Sequence, residues 1–255
     1  MKVALVQSTL SWENPEENRS QFTAKINALE SDIDLIVLPE MFSSGFTMNP
    51  ATVAETMTGT TIQWMQQLAK TRQCALTGSL VIKENNHFYN RLVFVFPSGE
   101  LQFYDKRHLF TLAGEEKIYT AGKEKLLVTY KNWKICLLVC YDLRFPVFSR
   151  NVEQYDLLIY VANWPESRIL AWDSLLRARA IENICYTLGV NRTGTDDNGM
   201  LYNGHSQLIG PTGEYLISPQ EATAVFTATL SQETITQTRQ RFNFLKDADR
   251  FEILD

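Results

Sequence analysis

Apolar positions along the chain fall into short runs that alternate with amphipathic stretches. KVALVQS (2–8) predicts a strand. Asn14-Pro15-Glu16-Glu17 predicts a helix start, with an N-cap, a proline at the first helical position and an acid at the third. Phe22, Ile26 and Leu29 continue it at helical spacing. LIVLPE (35–40) is an apolar strand that ends in an acid, and TTIQWMQQLAKTRQ (60–73) sets Ile62, Met65 and Leu68 on one helical face. CALTGSLVI, RLVFVFP and LQFYDK predict an antiparallel meander with turns at ENNH and PSGE. KICLLVCYD and DLLIYVANWP are each a buried strand with a polar terminus, and ILAWDSLLRARAIENIC (169–185) predicts a long helix. FPVFSRNVEQY also reads as helix-rich. YTLGVNR, SQLIGPTGEYLI and AVFTATL give further strands, TGTDDNGMLYNG (193–204) a loop, and the last twenty or so residues a helix before a short tail. About a dozen strands and four or five helices, partly alternating and partly in hairpins, fit an α/β fold with two mixed sheets packed face to face. No stretch reads as a linker, so one domain over 1–255 is expected.

Charge narrows the function classes. The net charge of −5 comes with no basic stripe, which argues against nucleic-acid binding because phosphate contacts need clustered Lys and Arg. No apolar run approaches the ~20 residues of a membrane span. The N-terminus lacks the long apolar core and cleavage site of a signal peptide, so a cytoplasmic protein is expected. The four cysteines, Cys74, Cys136, Cys140 and Cys185, include no CxxC pair. On a regular strand Cys136 and Cys140 stand about 13 Å apart, too far for a disulfide. No ligand cluster for a metal is visible, and no cofactor is expected.

The ends of the apolar strands carry the chemistry. Ligands in open α/β folds bind beyond the carboxyl ends of strands. There LIVLPE delivers Glu40, LQFYDK delivers Lys106, ICLLVC delivers Cys140, and LIYVANW delivers Asn163 and Trp164. Taken singly, each has an ordinary structural explanation. Together an acid, a cation and a thiol at equivalent strand ends would form a base, a charge clamp and a nucleophile. His87, His108 and His205 all lie in turns, and none is placed beside Cys140 by the pattern, which favours a carboxylate base. Asp142 and Arg144 follow the thiol and allow two readings: a scaffold pair, or Arg144 gripping a substrate carboxylate. Phe42, Tyr141 and Trp164 could shape an apolar wall or belong to the core, and Asn163 could bind substrate or tie down a turn.

LPEMF (38–42), YDKRHLF (104–110) and VCYDLRFP (139–146) resemble, in order and spacing, the three signature blocks of the nitrilase superfamily, the carbon–nitrogen hydrolases. The resemblance continues through YVANWP, LLRARAIEN, VNR and GHSQLIGPTGE (204–214). MFSSGFTM and CYDLRFPVFSRN look most like the bacterial omega-amidase group. The resemblance implies an αββα four-layer sandwich, a homodimer, and a Glu–Lys–Cys triad on Glu40, Lys106 and Cys140. It also implies a second active-site glutamate seven residues before a glycine; with Gly122 as that glycine the match is Glu115, with Glu116 its rival. The implied reaction is hydrolysis of a small-molecule amide. The group implies 2-oxoglutaramate or 2-oxosuccinamate. A deaminated-glutathione amidase, an N-carbamoyl amino acid hydrolase, a nitrilase or a non-catalytic binding protein are the alternatives.

Overall fold

The computed structural model describes residues 1–253. The first half of the chain supplies β1 (Lys2–Gln7), β2 (Leu35–Val37), β3 (Ala75–Glu84), β4 (His87–Val95) and β5 (Leu101–Asp105), with helices α1 (Pro15–Asn27) and α2 (Thr60–Arg72) between them. The second half supplies β6 (Leu126–Tyr130), β7 (Trp133–Val139), α3 (Pro146–Ser149), β8 (Leu157–Ala162), α4 (Ile169–Asn183) and β9 (Tyr186–Asn191). Then come the short strands β10 (Thr193–Thr195), β11 (Leu201–Asn203), β12 (Gln207–Ile209) and β13 (Tyr215–Ile217), followed by β14 (Ala224–Thr229) and α5 (Gln232–Arg241).

Two six-stranded sheets result, ordered β14-β1-β2-β3-β4-β5 and β13-β12-β9-β8-β7-β6. Both are mixed. β1, β2 and β3 run parallel and so do β7, β8 and β9, while the flanking pairs are antiparallel. Strand alternation explains the layering. Val3, Leu5, Leu35 and Val37 face the second sheet and join Ile135, Leu137 and Leu188 in one core. Their neighbours Ala4, Val6, Ile36 and Leu38 face outward onto Phe22 and Ile26 of α1 and Ile62 and Met65 of α2. On the other side Trp172, Leu176 and Ala180 of α4 cover the second sheet. Sheets with both faces covered need continuous apolar runs, which is what KVALV, LIV and ICLLV provide.

The Asn14 side chain caps α1, accepting from the Glu17 N–H at 3.1 Å. Elsewhere the pattern overreached. FPVFSRNVEQY forms only the single turn of α3, because Asn151 leaves the helix to bond the backbone of Tyr155 and Asn183. The stretch 193–204 is not a plain loop, since β10 and β11 pair in it as a small hairpin. After α5 the chain makes a short 3-10 turn at Phe244–Asp247. The last two residues of the expected tail, Leu254 and Asp255, lie outside the described residues.

Candidate active site

Glu40 lies three residues past β2, Lys106 directly follows β5, and Cys140 directly follows β7. Each is held by a local backbone device. Past Glu40, Met41 adopts φ +43° and its N–H donates to Ser79 Oγ at 2.9 Å, which turns the chain sharply. The Lys106 N–H donates to the Asn90 carbonyl at 3.0 Å, and the Gly122 N–H donates to the Lys106 carbonyl at 3.0 Å. A side chain at Gly122 would place Cβ within 2.1 Å of the Asp105 carbonyl, so only glycine closes that turn. Cys140 also has φ +43°, between β7 and a 3-10 turn at Cys140–Arg144. Left-handed backbone at a non-glycine residue costs about 1–2 kcal/mol. Here it swings the thiol off the strand end into a cavity, and Cys140 alone of the four cysteines is not fully buried.

The charged groups meet around Lys106. Its Nζ donates to Glu40 Oε1 at 2.9 Å and to Glu115 Oε2 and Oε1 at 2.9 and 3.1 Å. Lys106 is 1% exposed and both glutamates are 0% exposed. Glu40 Oε1 also accepts from Asn90 Nδ2 at 2.8 Å, and Oε2 accepts from the Asn163 N–H at 2.8 Å. Glu115 Oε2 accepts from the Phe110 N–H at 2.6 Å. Glu116, the rival position, faces solvent. The ammonium thus meets two carboxylates through three contacts, one to Glu40 and two to Glu115.

Burial disfavours the ionised form of all three kinds of group, and the charges around each decide the outcome. For Lys106 burial favours the neutral amine, but Glu115 and Glu40 outweigh it and hold the ammonium above its ordinary range. Burial pushes the Glu115 carboxyl up; Lys106 pulls it down, Glu40 pushes it up again, and the net direction is up. Burial raises the Cys140 thiol well above its usual range, and the Glu40 charge adds to this while Lys106 opposes it. The thiol therefore rests protonated, hydrogen-bonded to Glu40.

These groups open into a cavity of about 310 Å³. Glu40, Lys106, Cys140 and Asn163 line its floor, Tyr141, Trp164, Phe46, Met48 and Phe110 its walls, and Arg144 and Arg168 also border it. The hairpin β10–β11 closes one side with Asp196, Asn198, Met200 and Tyr202. A larger open groove of about 770 Å³ beside α5 has none of these groups. Among the described residues no cluster of His, Cys, Asp or Glu is placed to hold a metal ion.

Residues 2–240 match the family model described as carbon-nitrogen hydrolase. The chain belongs to the carbon–nitrogen hydrolase family. It is 42% identical to the omega-amidase YafV of Escherichia coli (strain K12), over 99% of this chain and 98% of that one. It is 28% identical to the 2-oxoglutaramate amidase of Bacillus subtilis (strain 168), with 96% of each chain covered. Among solved structures, XC1258 from Xanthomonas campestris, a CN-hydrolase superfamily protein with an arsenic adduct in its active site, superposes with a TM-score of 0.97 at 42% identity, over 99% of this chain and 98% of that one.

Within this carbon–nitrogen hydrolase two sequence readings need correction. Phe42 does not reach the cavity: it is 0% exposed and packs on Phe22 and Trp64, with ring centroids 5.7 and 5.8 Å away. The turn at Met41 rotates it onto the α1–α2 side of the first sheet. Nor do Asp142 and Arg144 pair. Asp142 accepts four hydrogen bonds, from the Val139 N–H, Tyr104 Oη, the His108 N–H and His108 Nδ1 at 2.9, 2.8, 3.1 and 2.7 Å. It thereby ties the Cys140 turn to the Lys106 turn. Arg144 instead lies over the Trp164 ring at 4.9 Å. Sequence reasoning missed the hairpin wall and Arg168. The signal for the wall was the dense Asp, Asn and Gly content of 193–204, which marks a shaped turn as well as a loose loop.

Proposed function

We propose that the protein is an omega-amidase that hydrolyses the terminal amide of short dicarboxylic monoamides, with 2-oxoglutaramate and 2-oxosuccinamate as its substrates. The observation that carries this reading is the Glu40–Lys106–Cys140 cluster at the floor of a cavity bordered by Arg144, whose guanidinium has no acidic partner among the described residues. The omega-amidase and 2-oxoglutaramate amidase relatives support it.

In the mechanism we infer, Glu40 takes the thiol proton as Cys140 attacks the amide carbon. Burial raises the Cys140 thiol above its usual range, so the resting thiol carries the proton that Glu40 takes. The carbonyl oxygen becomes an oxyanion, met by the positive charge of the Lys106 ammonium and by the Tyr141 backbone N–H. Glu40 returns its proton to the departing nitrogen, ammonia leaves, and a thioester remains on Cys140. Water then gives a proton to Glu40 and attacks the thioester. The acid is released and the thiol is restored. Glu115 holds Lys106 in place throughout. Asn163 Nδ2 is engaged by the Glu40 carbonyl at 2.6 Å, while its buried Oδ1 has no protein partner and is free to accept from the substrate NH₂. Arg144 meets the distal carboxylate with a planar fork.

Ammonia release over a panel of short omega-amides and nitriles, with Cys140→Ala as blank, tests the reading. Release from 2-oxoglutaramate well above that from neutral amides and nitriles is expected, and preference for a nitrile or an N-carbamoyl amino acid would replace it. We also read the exposed Val147 and Ile181, on neighbouring segments α3 and α4, as part of a homodimer face in a cytoplasmic enzyme. Sedimentation of the protein and of Ile181→Glu tests that association.

A further inference from the structure

We infer that Arg168 is a second guanidinium for the acid end of the substrate, so that Arg144 and Arg168 grip one carboxylate together. This rests on the omega-amidase reading and adds a specificity-determining residue to it.

The argument starts from the charges that border the cavity: Glu40, Lys106, Arg144, Arg168 and Asp196. Three of them are satisfied by the protein. Glu40 and Lys106 bond each other at 2.9 Å. Asp196 closes its own hairpin, accepting from the Asn198 and Met200 N–H groups and Tyr202 Oη, each at 2.9 Å. The two arginines have no such partner: among the described residues neither guanidinium makes an ion pair or donates a hydrogen bond.

Arg144 is exposed and Arg168 half-buried, and each guanidinium rests on an aromatic ring. The Arg144 guanidinium lies 4.9 Å from the Trp164 ring centre, and that of Arg168 lies 5.2 Å from the Phe110 ring centre. Stacking on a ring face restrains a guanidinium while leaving its edge donors free. Trp164 also connects the two: its ring lies under Arg144, and its indole N–H donates to the Arg168 carbonyl at 2.8 Å. Arg168 immediately precedes α4, so its backbone is anchored to a long helix. Two restrained, unpaired forks on one cavity of about 310 Å³ suit a small planar anion. Lys106 lines the same cavity beside Glu40 and Cys140 and is assigned to the reacting carbonyl, which leaves the two arginines for that anion.

The test compares wild type, Arg168→Gln and Arg168→Lys in two assays. The first measures kcat/KM for glutaramate and for pentanamide, an anionic and a neutral amide of equal chain length. Loss of a charge-assisted contact is expected to lower the glutaramate-to-pentanamide ratio about ten- to a hundredfold in Arg168→Gln. Arg168→Lys should recover only part of it, since a point charge does not reproduce the fork. An unchanged ratio overturns the inference, whatever happens to the absolute rates. The second assay needs no turnover: glutarate should slow iodoacetamide alkylation of Cys140 in wild type, and at least tenfold more glutarate should be needed in Arg168→Gln. Equal protection of both, or none in wild type, overturns the inference. Arg168-dependent protection in a protein that releases no ammonia from omega-amides would remove the omega-amidase reading and leave the acid subsite standing.

Discussion

Replacing Lys106 by methionine removes the one cation from a buried group of three charges. Lys106 lies 2.9 Å from both glutamates, and all three side chains are at most 1% exposed. The cluster carries one net negative charge; without the ammonium it would carry two. Each charge pair at this range is worth about 6 kcal/mol at an effective dielectric of 20, and breaking a buried pair costs about 3–5 kcal/mol. For a chain of this size that corresponds to a Tm lower by roughly 10 °C. The loss should depend on pH with a definite sign. In Lys106→Met the neighbouring carboxylates repel, so the folded-state pKa of one rises further above its unfolded value. Glu115, already raised, is the group to take the proton. A proton bound more tightly by the folded state means stability that is greatest near the unfolded pKa and declines as pH rises through the folded one. Lys106→Met should therefore regain part of its Tm between pH 7 and pH 5. The double variant Lys106→Met/Glu115→Gln restores a single negative charge and should be more stable than Lys106→Met at pH 7. Its kcat should stay at least ~10²-fold down, because the oxyanion donor is still missing. Differential scanning fluorimetry and ammonia release read both. A Lys106→Met protein within 2 °C of wild type, or a double variant less stable than the single, would refute the charge argument.

Cys140→Ser should fold and lose nearly all turnover, since Glu40 does not readily deprotonate a hydroxyl; rapid-quench mass spectrometry of wild type should find an acyl group on the Cys140 peptide. Asp142→Asn turns an amide N–H₂ toward two of four donors, one of which must be lost or displaced. A stability loss on the order of 2 kcal/mol, read as a lower Tm, together with a lower kcat is expected; unchanged values for both would deny the bridge between the two turns. Alkaline stability should fall above pH 9. Burial pushes the Cys74 thiol up to about 11 and the Cys185 thiol up to about 12, so at pH 10 the unfolded chain has released protons that the native one retains. Each such thiol contributes a slope of about −1.4 kcal/mol per pH unit, and Cys185→Ala should flatten the decline measured by urea unfolding across pH 8.5–10.5.

The layers of the fold were legible because both sheets are covered on both faces, so runs such as ICLLV and LLIYVA announce strands without ambiguity. The positions of Glu40, Lys106 and Cys140 were legible for a related reason: each breaks an apolar run at its carboxyl end. Side-chain direction beyond a strand end was less readable. Phe42 and Tyr141 both come directly after a turn at positive φ, yet one packs into the core and the other lines the cavity. Aromatic character does not reveal a backbone rotation, and the φ values that decide the matter belong to Met41 and Cys140. The Asp142–Arg144 pairing failed similarly. Proximity in sequence favoured a pair, but Asp142 found four donors on Val139, Tyr104 and His108, contacts that only the folded β5 and β7 ends create. Arg168 was invisible as one charge in WPESR, because its importance depends on charges elsewhere in the cavity being already paired.

The arrangement of two glutamates on one lysine follows from charge conservation during the reaction we propose. In the resting site Glu40 and Glu115 are negative, Lys106 is positive and Cys140 is neutral, a total of −1. When the thiol proton passes to Glu40, the negative charge moves through sulfur to the carbonyl oxygen, and the total is still −1. When Glu40 gives that proton to the leaving nitrogen, ammonia departs neutral and Glu40 is negative again. No step adds net charge to a site whose side chains are almost fully buried, which matters because creating an unpaired ion there costs several kcal/mol. This cycle neutralises Glu40 at the moment when Lys106 must stay charged to face the oxyanion. Glu115 supplies the constant partner: it contacts Nζ through both carboxylate oxygens and is itself fixed by the Phe110 N–H at 2.6 Å. A single glutamate could not be both the proton carrier and the permanent counter-charge, and the two roles fall to the residue hydrogen-bonded to Cys140 and the residue that is not.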